Sequence, residues 1–136
     1  MSMPRIDSCM DRETHAVRAS DDLYEVVRVL IDKSVTGAIV VDADAKPIGI
    51  ITEAECLKLL SEGAGGDVPK GTVRDFMAEV VSVKPNMDIY YAAGLFNSHP
   101  HQRRFAVVDD GGKLIAVVTR KDILKVVHAT LMTTGA

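Results

Sequence analysis

The chain repeats itself. Residues 6–10 (Ile-Asp-Ser-Cys-Met) match 73–77 (Val-Arg-Asp-Phe-Met), and 16–24 match 82–90. Further on, 38–42 match 105–109 and 48–57 match 115–124. The four blocks keep their order, and the register slips once each way, as compensating one-residue loop changes produce. Duplication on this scale means one supersecondary unit laid down twice. Half of a 136-residue chain buries too little surface to fold alone, so the halves are expected to share their stability.

Each half reads alike. A short apolar stretch (15–18; 80–84) comes first, and Ser20 and Asn86 stand where an N-cap belongs. Leu23, Val26, Val27, Leu30 and Ile31 then recur at helical spacing, and Ile89, Ala92, Ala93 and Phe96 repeat the stripe with smaller residues. Two β-rich runs follow, 38–41 and 48–51 around the turn 42–47, with counterparts 105–108 and 114–118 around 109–113. A second helix starts after Thr52 or Thr119. The expected fold is mixed α/β (α+β), two β-α-β-β-α repeats packed about a pseudo-twofold axis. Residues 62–71, rich in glycine, form the linker. The domains are accordingly 1–66, repeat 1 with the start of the linker, and 67–136, repeat 2.

Composition narrows the classes. With 47% hydrophobic and 26% charged residues the chain is globular. A net charge of −3 argues against a general nucleic-acid binder, and no apolar run is long enough to span a bilayer. No secretory pattern opens the sequence, and Cys9 and Cys56 lack CxxC spacing, so a cytoplasmic protein with reduced, buried thiols is expected.

Val73-Arg-Asp-Phe-Met77, Phe105-Ala-Val-Val-Asp109 and Ala116-Val-Val-Thr-Arg-Lys-Asp122, taken with the duplication, resemble a tandem pair of cystathionine-β-synthase (CBS) domains, a Bateman module. The resemblance covers about residues 6–131. It implies a regulatory module that binds an adenosine-containing ligand (AMP, ADP, ATP or S-adenosylmethionine) in clefts between the repeats and forms homodimers. It also implies that a Thr or Ser ending the last strand, with an acid three residues later, holds the ribose. The matching positions are Thr119 and Asp122 in repeat 2, and Thr52 and Glu55 in repeat 1.

A carboxylate can accept from both hydroxyls of a cis-diol, and charged acceptors bond strongly. The same spacing is also a capping box. Thr52 and Glu55 are read first as the cap; Thr119 and Asp122, with the shorter acid, are read first as the ribose pair. Ala116 stands where the family usually has Gly, retained as Gly49 in repeat 1, and its methyl is expected to crowd a base. One good site is expected, not two.

For phosphate, Arg120 is the first choice, because its fork matches phosphate oxygens, with Lys121, Arg103 and Arg104 behind it. Val81, Ser82, Phe105 and Ala106 would form the adenine wall, although Phe105 also reads as plain core. His99 and His101 read as loop residues: no His/Cys cluster offers a metal site. The glycine-rich linker lacks a P-loop ending, and no catalytic motif appears. The expectation is therefore a non-catalytic sensor with no required cofactor, acting on a separate partner protein and using neither membrane nor nucleic acid. A ligand-free dimerisation scaffold is the alternative, and a weak nucleic-acid binder using Arg103, Arg104, Arg120 and Lys121 the third.

Overall fold

The computed structural model of the chain describes residues 4–134. It comprises two compact units. The first is Thr14–Val80; the second joins the segment ending at Glu13 to the segment beginning at Val81.

In the first unit β1 (Val17–Arg18) pairs in parallel with β2 (Gly37–Val41), which pairs antiparallel with β3 (Pro47–Thr52). Helices α1 (Leu23–Lys33), α2 (Glu53–Ser61) and the single turn α3 (Val73–Phe76) complete it. The second unit repeats the plan with β4 (Ser82–Val83), β5 (Arg104–Val108) and β6 (Leu114–Thr119), and with α4 (Ile89–Ser98) and α5 (Arg120–Thr134). Each unit thus has the expected β-α-β-β-α order. The second helix begins directly after Thr52 and after Thr119, as the sequence implies.

The first helix of each unit starts later than its expected cap. Asp22, not Ser20, accepts from the Tyr24 N–H at 2.9 Å, and Asp88, not Asn86, accepts from Tyr90 and Tyr91 at 2.7 and 3.2 Å. Both aspartates keep extended backbone, which aims a short carboxylate at the first-turn amides. The buried stripes are also narrower than expected. Leu23, Val26 and Leu30 are buried but Ile31 is exposed; Ile89, Ala92 and Phe96 are buried but Ala93 is exposed.

The opening motif of each repeat closes the unit built mainly from the other repeat. Ile6 N–H donates to Met87 O and Ile89 N–H to Pro4 O, at 2.9 and 3.1 Å. In the first unit Val73 N–H donates to Asp21 O and Leu23 N–H to Gly71 O, both at 3.0 Å. Each strap then bridges its sheet edge, Asp11 to Val117 and Ala78 to Ile50. Ile6 and Val73 are completely buried at these junctions, so each strap carries part of a core.

Helix-facing cores fill both units. Val40 and Ile51 meet Leu23, Val26 and Leu59 in one; Phe105, Val107, Ala116 and Val118 meet Ile89, Phe96 and Ile123 in the other. Cys56 is buried and Cys9 half-buried, both as free thiols; burial, the first cause in each case, raises the pKa of both.

Candidate functional site

At the β6–α5 junction the strand ends on Thr119 and the helix places Asp122 in its first turn. The Thr119 N–H donates to Asp122 Oδ2 at 2.9 Å, and the Asp122 N–H donates to Thr119 Oγ1 at 3.3 Å. This reciprocal pair is a capping box. It occupies one carboxylate oxygen. A carboxylate offers two oxygens, each with acceptor capacity left over. Asp122 also lines a hollow of about 290 Å³ together with Ser8, Cys9, Lys125, Val126 and Ala129.

The corresponding junction in the first unit is built differently. Thr52 is buried, makes no side-chain cap to α2, and donates its hydroxyl to the Glu55 carboxylate. The box expected at Thr52–Glu55 is therefore found at Thr119–Asp122. The shorter aspartate turns back onto the backbone, whereas the glutamate, one methylene longer, meets the threonine hydroxyl.

The four basic candidates separate clearly. Arg120 donates to the carbonyls of Gln102 (2.6 Å), Phe96 and His99 (both 3.2 Å) and Pro100 (3.4 Å), and its guanidinium carbon stands 4.9 Å over the Phe96 ring. It thereby adds a cationic donor to the carbonyls at and beyond the end of α4, two of which, Phe96 O and His99 O, also accept a backbone N–H. Arg103 and Lys121 are exposed. Arg104 is only 5% exposed, faces Thr119 across the β5–β6 ladder, and has a buried Nε–H without a partner among the described residues. Burial pulls its pKa down, opposed by the nearby charges of Asp122 and Asp11.

The adenine-wall residues divide as well. Ala106 N–H donates to Val81 O at 3.0 Å, and Ser82 pairs with Ala106, so these three adjoin where the edge strand β4 meets the central strand β5. Phe105 is a core residue. Its ring stacks on Phe96 at 3.8 Å and meets His99 edge-on. Neighbouring strand residues point to opposite faces, so Phe105 and Ala106 cannot both present side chains to one base. Ala116 also belongs to the helix-side core, on the face of Phe105; its methyl packs there and does not project from the opposite face.

The structure thus brings Thr119, Asp122 and Arg104 together and adds Asp11, Ser8, Cys9 and Lys125, which nothing in the sequence marks as site residues. The first three of these reach the site through the strap 4–13, a long-range placement without a local motif. A larger groove of about 540 Å³ runs along α4 and α5, lined by Phe96, Asn97, Pro100, Arg103, Arg120 and Leu124 among others. It contains neither Thr119 nor Asp122, and its central arginine is already engaged, so the smaller hollow is the better candidate. Among the described residues no three His, Cys, Asp or Glu side chains gather as a metal site, and no helix is long and apolar enough to cross a membrane.

Comparison with known proteins agrees with this architecture. The chain is 28% identical over 124 residues to the inosine-5'-monophosphate dehydrogenase of Nitrosopumilus maritimus, covering 90% of this chain and 24% of that protein. It is 35% identical over 109 residues to an uncharacterized protein of Methanopyrus kandleri, covering 79% of this chain and 54% of the relative. It therefore spans about a quarter of the first relative and about half of the second.

Among solved structures, CBSX2 in complex with AMP superposes with a TM-score of 0.78 at 26% identity, over 93% of this chain and 97% of that one; CBSX2 is from Arabidopsis thaliana. The AcuB protein of Vibrio cholerae, a putative acetoin utilization protein, shares the fold with a TM-score of 0.83 at 18% identity, over 98% and 97% of the two chains. The sequence pattern of the CBS domain matches twice, at residues 6–62 and 73–129. The chain belongs to the CBS domain family, as a tandem pair of such domains.

Proposed function

We propose that this chain is a non-catalytic regulatory module that binds an adenosine-containing ligand at the β6–α5 junction and acts, as a homodimer, on a separate protein. The observation that carries the reading is the Asp122 carboxylate. One oxygen is fixed by the Thr119 N–H, which orients the group, while the side chain lines a hollow. An oriented carboxylate beside a threonine hydroxyl suits a ribose diol, since both sugar hydroxyls can donate to one anionic group. The complex of CBSX2, 26% identical, with AMP supports the same class of ligand.

A ligand regulates only if it binds two arrangements of the protein with different affinity. Asp122, fixed at the start of the long α5, would pass that difference to the helix. The reciprocal bonds of Thr119 and Asp122 also favour a second reading, an empty scaffold in which the two residues do no more than cap α5. Titration calorimetry separates the two. Asp122→Ala weakens AMP binding by about tenfold to a hundredfold on the sensor reading, the equivalent of one charge-assisted hydrogen bond. On the scaffold reading the parent protein binds no adenylate and the variant loses only stability.

A further inference from the structure

We propose that the α4–α5 groove of one copy of this chain receives the α1–α2 face of a second copy, so that the homodimer pairs unlike units, first against second. The proposal rests on the homodimer named above and says which faces meet in it.

The two repeats have diverged in opposite senses on this face. Counted from the matching caps Asp22 and Asp88, Val27 and Ile31 of α1 correspond to Ala93 and Asn97 of α4. Counted from the strand-end threonines Thr52 and Thr119, Glu53 and Leu57 of α2 correspond to Arg120 and Leu124 of α5. Ala93, Asn97, Arg120 and Leu124 all line the groove of about 540 Å³, over the buried Phe96 and Ile123. Residues four apart share a helix face, so their counterparts share the outer face of α1 and α2. There Ile31 is 71% and Leu57 63% exposed. Where the second unit has an alanine and an asparagine and is hollow, the first projects bulky aliphatic side chains.

The charges are opposed as well. Arg103 and Arg120 line the groove, and Lys121 follows in the first turn of α5. The corresponding residues of the first unit are Thr36, Glu53 and Ala54. Two second units set face to face would bring these cations against their own copies, and two first units would oppose Glu53 to Glu53. An unlike pair sets Glu53 against the arginines and Ile31 against the groove. Attraction in one pairing, joined to repulsion in the alternative, is what makes an association specific.

The test is sedimentation equilibrium of the full chain, for the parent, Ile31→Glu, Ala93→Trp and an equimolar mixture of the two variants. Both positions are exposed, and circular dichroism checks that the variants keep the parent fold. The parent is a dimer. Each variant alone dimerises about tenfold to a hundredfold more weakly, the scale of an interface anchor, because every unlike contact in it contains one damaged face. In the mixture the intact first unit of one copy meets the intact groove of the other, and association is about tenfold tighter than for either variant alone. Glu53→Arg and Arg103→Glu repeat the design with charge. Each weakens the dimer about threefold to tenfold, and the two together in one chain restore it.

If like units pair, each bulky variant keeps one intact contact and mixing weakens association. That result, or a parent dimer that none of the substitutions changes, overturns the pairing and leaves the homodimer standing. A monomeric parent overturns both, while AMP titration of the parent reports separately on the adenosyl reading. If either bulky variant does not fold, the charge pair decides, and a double variant no tighter than the single ones counts against the proposal.

Discussion

The two units follow one plan, yet they differ at the residue that opens the central strand. The first has Gly37 opposite Thr52; the second has Arg104 opposite Thr119. Around Gly37 a Cβ would fit tightly, 3.1 Å from Thr52 Cγ2 and 3.2 Å from Ile51 O, and the threonine hydroxyl is held by Glu55. Around Arg104 a charge is buried, and the threonine and Asp122 form a box that still leaves carboxylate capacity. The same Thr-x-x-acid spacing therefore does two jobs. The cross-strand neighbour and the length of the acid decide which.

The cores differ in a compensating way. Phe105 occupies the position that is Ala38 in the first unit, and its ring lies flat against Phe96. The largest effect is expected there. Phe105→Ala should destabilise the protein by about 3–5 kcal/mol, because the second unit has small residues, such as Ala92, elsewhere around that volume. Urea unfolding monitored by circular dichroism measures it. A loss below about 1 kcal/mol would mean that the stack is not what holds α4 to β5.

A smaller effect separates the two sheet edges. A Cβ on Gly49 would lie 2.8 Å from Met77 Sδ and 3.1 Å from Ala78 O, because the strap 77–78 presses on that strand. Gly49→Ala should cost about 1–3 kcal/mol by overpacking, although Ala116 is accommodated at the matching position of the second unit. Thermal unfolding that leaves Gly49→Ala as stable as the parent would show that the strap yields.

The smallest effect lies in the hairpin turns, where the duplication differs by one methyl group. Ala45 adopts φ +62° and Gly112 φ +85°. An L-residue is strained in this region, so Ala45→Gly should gain about 0.5–1 kcal/mol net of the entropy that glycine loses. A melting point that falls would contradict it.

Much of this was legible in the sequence. Four matched blocks revealed the duplication, and short β-rich runs located β2, β3, β5 and β6 to within a residue or two at each end. The caps were misplaced by two residues because Ser20 and Asn86 are good capping types, while only backbone geometry selects Asp22 and Asp88. Phe105 could not be assigned a side because β5 is buried on both faces, which erases the alternation that marks an inward residue. Arg120 looks like a free cation until α4 brings its terminal carbonyls within reach. The charges around Arg104 were not legible. Asp11 lies over 90 residues away in sequence and arrives only because each repeat's opening strap completes the other unit.

The central claim is that Asp122 holds a ligand while Glu55 serves only its own unit. Calorimetric titration of AMP into the parent, Asp122→Ala and Glu55→Ala measures it directly. The account predicts one AMP per chain, a loss of about tenfold to a hundredfold for Asp122→Ala and less than about twofold for Glu55→Ala. Equal losses in the two variants, or undiminished binding in Asp122→Ala, would contradict it.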